Sequence, residues 1–290
     1  MQEGTQRNAV KRVMSNSPFR FDNATTIKAS QTHKRISGWQ SIARNDLSEL
    51  ELLILSLVYE LQYCTAAQIK DFMLISDCEK RFKRFSSGNN NPYRNPIHAL
   101  IRKGLINTFS VFRNHKSEGP SILQLSTTAE KLMQLVLKKP QIFECFPKRL
   151  ANDACSMLGL LVRNASCISL IKCSNRGLLT LDTLQDLLIP HICLSTRVHG
   201  DILILPYRNG KNVIMDELKR FDDNSYQAYI IITETLEDAQ KLNHFLCHNH
   251  INTPLLYSTD ASLKNPEIPL MKHLYQFFNE RIECLELSIS

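Results

Sequence analysis

Glycine is scarce in this chain, at nine of 290 residues. The sequence contains no GxGxxG fingerprint and no Walker-type loop, and both motifs need glycine where the backbone approaches a phosphate. This argues against a nucleotide-binding enzyme. No continuous run of apolar residues reaches the ~20 positions that a membrane-spanning helix needs. The first twenty residues lack the apolar core of a signal peptide, so we expect a soluble, cytoplasmic protein with no membrane partner.

A paired set of cysteines is also lacking. The nine cysteines are odd in number and irregularly spaced, which favours reduced thiols that mostly fill the core. His244 and His248 are four residues apart on a predicted helix, a spacing that can bind zinc, with Cys247 and His250 nearby. No second pair of ligands accompanies them, so we predict no metal site and no cofactor.

Positive charge is concentrated in the first half of the chain. The formal net charge is +7, made up of +6 in residues 1–45, +5 in residues 46–149 and −4 in residues 150–290. Such asymmetry favours a part that binds a polyanion joined to a part with another task. A solvated basic face without a partner is the alternative. Residues 1–45 are polar with little apolar periodicity and are predicted to form a flexible basic arm.

Residues 46–140 show signals for four helices and a β-hairpin. Apolar residues repeat at helical spacing after Ser48, and Thr65 can cap a second helix. A third helix is predicted to start near Asn95-Pro96 and to end at Gly104. The strand-like runs 106–112 and 120–126 follow. Thr127 and Glu130 have the spacing of a capping box for the fourth helix.

This order is that of a winged helix-turn-helix, in which the third helix reads DNA and the hairpin is the wing. The segments LSELELLILSLVYELQYCTAAQIKDF, HALIRKGLI and LSTTAEKLM resemble the winged-helix part of the replication-relaxation proteins of plasmids and conjugative elements. The resemblance covers about a hundred residues, and the insertion SSGNNNPYRN departs from it. It implies an accessory or regulatory protein in plasmid replication, conjugation or transcription that binds double-stranded DNA.

A basic cluster surrounds the predicted third helix. Lysine and arginine there would contact phosphates and release counterions, while polar residues near the helix start would meet base edges. The same side chains can equally belong to a solvated face. The predicted DNA-binding residues are Lys80, Arg81, Lys83, Arg84, Arg94, Asn95, His98, Arg102, Lys103, Arg113 and Lys116.

Residues 150–290 are predicted to form an α/β domain with a small mixed sheet, so the whole chain is α+β. DILILPY and NVIMDEL are strand-like, and Asn209-Gly210 between them is a hairpin signal. A strand at 228–234, a helix after Thr235, a strand at 254–259 and a last helix over 269–282 follow. We expect this domain to bind a protein partner or to dimerise.

One constellation in this half predicts chemistry. With Asp201 on one strand and Glu217-x-Lys219 on the next, the three side chains would share a face, as in a degenerate PD-(D/E)xK fold. The carboxylates would hold Mg²⁺, and the lysine would activate water. Gly200 stands where that motif has proline, and no crossover helix is predicted after the lysine. A Mg²⁺-dependent DNA endonuclease therefore remains an alternative, as does a protein-interaction module without DNA binding.

Overall fold

The computed structural model divides the chain into two compact units. The first contains the described residues from Thr25 to Val136, and the second contains Ser17, Phe19–Phe21 and the described residues from Asp153 onward. The residues that the structure describes are 17, 19–21, 25–31, 47–75, 94–113, 115–117, 119–136, 153–173, 180–182, 189–196, 199–208, 210–221, 226–251, 253–264, 269–278 and 281–287.

The first unit combines four described helices with a four-stranded antiparallel sheet, in agreement with the α+β class. Strand β2 lies inside the sheet, where β1 and β4 both pair with it and β3 meets its end. Helix α1 contacts α3, α4 and β4. The elements are β1 (Thr26–Gln31), α1 (Glu49–Leu61), α2 (Ala66–Ile75), α3 (Arg94–Arg102), β2 (Ile106–Arg113), β3 (Lys116–Ser117), β4 (Ile122–Leu125) and α4 (Thr127–Val136).

Short side chains fix where these helices begin. Ser48 caps α1 and forms a full capping box with Glu51. Thr65 does the same for α2, because its hydroxyl accepts from the Gln68 N–H (3.1 Å) while the Gln68 amide oxygen accepts from the Thr65 N–H (3.0 Å). At α4 the hydroxyl of Ser126, rather than the predicted Thr127, accepts a first-turn N–H. Helix α3 ends at Arg102, and Gly104, two residues further on, has a φ of 69°, which suits glycine.

Part of the predicted flexible arm is a strand. Residues Thr26–Gln31 form β1, which pairs antiparallel with β2 from Thr26↔Phe112 to Gln31↔Thr108. The Ser30 and Thr108 hydroxyls lie 3.1 Å apart across this pair. The prediction of an arm is therefore wrong for this segment. The segment contains threonine and isoleucine, which favour strands, but it is short and the residues around it have the polar, basic composition of an arm.

The second unit is built on a seven-stranded mixed sheet, larger than the small sheet predicted. Strands β7, β8 and β9 are parallel neighbours, and the other strands pair antiparallel. Helices α6 and α7 pack on one face through a core that includes Leu218, Leu242 and Tyr229. The elements are α5 (Ala154–Cys173), β5 (Thr180–Asp182), β6 (Ile192–Thr196), β7 (Gly200–Pro206), α6 (Lys211–Phe221), β8 (Ala228–Thr233), α7 (Leu236–His248), β9 (Leu255–Thr259), α8 (Asp260–Lys264), a 3₁₀ turn (Leu270–Lys272), β10 (Leu274–Phe278) and β11 (Arg281–Leu285).

The segment predicted as the second strand of a hairpin is helix α6. Its Ile214 and Leu218 are four residues apart and both buried, as a helix face requires. Because β7 and β8 are parallel, the chain must cross from the end of one to the start of the other, and this helix is the crossover. The predicted hairpin at Asn209-Gly210 is therefore wrong; Gly210 immediately precedes the helix.

The predicted last helix over 269–282 is also wrong. After the 3₁₀ turn the chain forms the antiparallel pair β10–β11, with Leu274 opposite Leu285 and Phe278 opposite Arg281. The run LYQFF supplies three aromatic residues, which pack well on a pleated surface and favour a strand over a helix.

Among the described residues, one helix is long and apolar enough to cross a membrane. It covers Ala154–Lys172 within α5, and 78% of its most apolar window is buried inside the protein. The sequence predicts a helix over 151–163 only, and the structure extends it to Cys173. Its burial against β7 and the 3₁₀ turn is what a core helix of a soluble protein shows.

Candidate nucleic-acid interface

Helix α3 has two chemically different faces. Ile97, Leu100 and Ile101 are buried, because α3 packs against α1 and β2. The opposite side is exposed, and Arg94, His98 and Arg102 on it follow the i, i+4, i+8 spacing of one helix stripe, with Asn95 beside Arg94. The exposed residues of this stripe, which we call the α3 face, are Arg94, Asn95, His98 and Arg102.

The α3 face presents hydrogen-bonding groups of the kinds that nucleic acids bind. The guanidinium Nε of Arg94 lies 3.5 Å from Nε2 of His98, one turn further along. Asn95 adds an amide, which can both donate and accept, and Arg102 adds a planar donor at the last turn. These four residues were predicted as DNA contacts, and the fold brings them together on one surface.

Lys103, also predicted as a DNA contact, forms an ion pair within the first unit. Its ammonium lies 2.8 Å from the Glu51 carboxylate on α1, and the Glu51 side chain is 9% exposed. Burial alone would raise the pKa of Glu51. Hydrogen bonds from Lys103 and Ser48 and the Lys103 charge outweigh it, so the pKa lies below its usual value. The pair ties the end of α3 to the start of α1.

The lowered pKa of Glu51 predicts a pH-dependent stability. The carboxylate stabilises the fold above the pKa of an unfolded glutamate, and this contribution disappears as pH falls through the folded pKa. Glu51→Gln should therefore lower the free energy of unfolding by about 1–2 kcal/mol at pH 7, and by progressively less in acid. Urea unfolding between pH 3 and 7 measures this, with the exposed Glu49→Gln as control. A cost that stays constant over this pH range would contradict it.

The β2–β3 pair carries two of the residues predicted to contact DNA. Lys116 is exposed on β3, directly opposite Arg113 in the β2–β3 pair. Arg113 itself is only 8% exposed, so the prediction that it touches a phosphate is wrong. Its side chain lies on the same face of the β2–β3 pair as that of Lys116, because directly opposite residues of an antiparallel pair share a face, but it is covered where Lys116 is not. His115, at the tip, is exposed with a φ of 65°.

Strand β1 adds a cation that the sequence did not predict. Lys28 is exposed, and its ammonium lies 5.5 Å from the centre of the Phe112 ring on β2. Polar and apolar residues alternate in Thr26-Ile27-Lys28, and this alternation is the sequence signal of a strand. The basic composition of the surrounding arm outweighs so short a pattern. The remaining predicted contacts, Lys80, Arg81, Lys83 and Arg84, lie outside the described residues.

The residues predicted for a nuclease do not converge. Glu217 and Lys219 lie on helix α6 and not on a strand, so their side chains are about 200° apart around the helix. Glu217 is 2% exposed and pairs with Arg220 at 3.3 Å, whereas Lys219 points to solvent. Asp201 is exposed at the start of β7. The PD-(D/E)xK interpretation of these three residues is therefore wrong.

Metal-binding groups are absent from the part of the chain that the structure describes, where no three His, Cys, Asp or Glu side chains are grouped suitably. The rings of His244 and His248 lie 4.1 Å apart, centre to centre. Nδ1 of His248 is 2.8 Å from the backbone oxygen of His244, so this nitrogen is engaged by the helix itself. Cys247 and His250 are exposed nearby.

No family model, curated protein or solved structure matches this chain. The resemblance to replication-relaxation proteins therefore stays a prediction from the sequence.

Proposed function

We propose that residues 46–140 form a winged helix-turn-helix domain that binds double-stranded DNA. The observation that carries the proposal is the α3 face, a continuous exposed stripe of four polar and basic residues on a helix whose other side is buried. Among the described elements of this unit, which follow the order strand, helix, helix, helix, hairpin, helix, it is the third helix, and the third helix is the recognition helix of that fold.

Different parts of the α3 face have different tasks in this proposal. Asn95 and His98 are near the helix start, the part that meets base edges in the major groove. Arg102 lies in the last turn, where a guanidinium contacts a phosphate. Lys116 on the wing and Lys28 on β1 extend the positive surface of the same unit. The net charges of +6 and +5 in residues 1–45 and 46–149 favour a polyanionic partner.

The biological role that we propose is that of a cytoplasmic accessory or regulatory protein of a plasmid or mobile element. The support for this finer statement is the sequence resemblance alone. The α/β unit would bind a protein partner or a second copy. An endonuclease is disfavoured, since Glu217 is buried against Arg220 and Lys219 faces away from it.

A titration of the full chain into a labelled duplex, with and without Mg²⁺, tests the proposal. We expect the duplex to shift and to stay intact under both conditions. Metal-dependent nicking would favour the endonuclease. The absence of any shift at low salt would contradict DNA binding and favour the protein-interaction module. Each outcome is visible on one pair of native and denaturing gels.

A further inference from the structure

Three charged residues meet at one edge of the parallel strands. Arg208 follows the end of β7, Glu234 follows β8, and Asp260 follows β9. Because the strands are parallel neighbours, their carboxyl ends lie side by side. In open α/β sheets this edge is where ligands bind. We call these three residues the edge triad.

The edge triad is internally paired, and two of its members are buried. Nη2 of Arg208 lies 2.5 Å from both carboxylate oxygens of Asp260, and the two side chains are 1% and 0% exposed. Nη1 of Arg208 donates to the Tyr207 carbonyl at 2.6 Å. Glu234 lies 3.8 Å from Nε of Arg208. Since Asp260 already neutralises the guanidinium, the triad does not offer a free cation to an anionic ligand.

A segment from the far end of the chain occupies this edge. The Ser17 hydroxyl donates to Asp260, and Nε of Arg208 donates to the Phe19 carbonyl at 3.1 Å. The Phe21 N–H donates to the Glu234 carboxylate at 2.5 Å. Each member of the triad therefore holds one group of the segment. The contacts join residues 189 to 243 positions apart.

The segment is bound in the manner of a peptide ligand. Two of the three groups held are backbone groups, which any peptide carries, and the third is a serine hydroxyl. Phe19 is 8% exposed, so its ring is the buried anchor. The Ser17 hydroxyl also accepts from the Phe19 N–H at 3.0 Å. Backbone contacts combined with a side-chain anchor are the usual basis of peptide recognition.

We propose that the carboxyl edge of β7, β8 and β9 is a peptide-binding site, and that Ser17–Phe21 is its intramolecular ligand. The segment closes the site until it is displaced. A ligand on the same chain has an effective concentration of about a millimolar. A free peptide of the same sequence therefore competes poorly while the intramolecular segment is bound. This proposal is independent of DNA binding, because all the residues involved belong to the second unit.

Binding of a labelled peptide tests the proposal. The probe is fluorescein-labelled SNSPFRFDN, residues 15–23. In the full chain, Ser17→Asp places a second carboxylate against Asp260, and Phe19→Ala removes the anchor. We expect this double variant to bind the probe at least roughly tenfold more tightly than the wild type does, because its own segment no longer competes. The exposed Ser121→Asp should behave as wild type, and a probe with alanine in place of Phe19 should not bind the double variant.

Hydrogen exchange of the wild-type protein supplies a second test that needs no variant. Exchange in residues 17–21 should be slower than in an unfolded peptide, and an excess of unlabelled peptide should accelerate it by displacing the segment. Exchange at the unfolded rate without peptide would overturn the proposal. An exchange rate that excess peptide leaves unchanged would also overturn the proposal. Equal affinity of the probe for the wild type and the double variant would overturn it as well.

Discussion

Asp260→Ala should lower the free energy of unfolding of the second unit by about 3–5 kcal/mol, because it leaves the buried Arg208 without its counter-charge. The Glu234 carboxylate lies 3.8 Å from Nε of Arg208, so it should compensate for only part of the lost charge pairing. The slowest-exchanging amides of Leu203–Leu205, in the middle of β7, measure this quantity, since they exchange through unfolding of the unit.

Two further variants separate the buried pair from a general loss of stability. Replacing both partners, as Arg208→Met with Asp260→Leu, removes the unpaired charge and should recover most of the lost stability. Lys241→Ala breaks the exposed pair with Glu237 and should leave exchange of β7 unchanged. An Asp260→Ala cost below about 1 kcal/mol would mean that water reaches Arg208, contrary to the 1% exposure of its side chain.

Replacing Arg94 and Arg102 together by alanine should weaken binding to duplex DNA at least about tenfold at ~0.1 M salt. Both residues are exposed on the α3 face, so the helix itself should stay folded. The matched control is Lys131→Ala with Lys219→Ala, which removes the same charge from exposed positions on α4 and α6. Equal weakening by the two double variants would indicate that only net charge matters and that α3 does not dock.

The first unit was largely predictable because its signals are local. In α3 the apolar spacing of Ile97 and Ile101 marks the buried side, so His98 and Arg102 could be assigned to the exposed side without a structure. Helix ends followed from capping residues such as Ser48 and Thr65. The burial of Arg113 could not be predicted, since the exposure of a strand residue depends on which parts of the fold cover it, and its sequence neighbours do not indicate them.

The second unit was harder to predict because long-range pairing decides it. The run Val213-Ile214-Met215 fits a helix or a strand equally well by local pattern. The parallel pairing of β7 with β8 makes it a crossover helix, and nothing in the neighbouring residues indicates that pairing. Likewise, nothing in the sequence around Ser17 or Asp260 indicates that the two residues are in contact, because they are 243 positions apart.

The salt dependence of DNA binding tests the central claim most directly. The logarithm of the binding constant should fall linearly with the logarithm of salt concentration, by about 0.9 per phosphate contacted. For Arg94→Ala with Arg102→Ala the slope should be smaller than that of the wild type by about 2, whereas the Lys131→Ala and Lys219→Ala control should keep the wild-type slope. The same slope for wild type and both double variants would contradict the assignment of the α3 face as the DNA-binding surface.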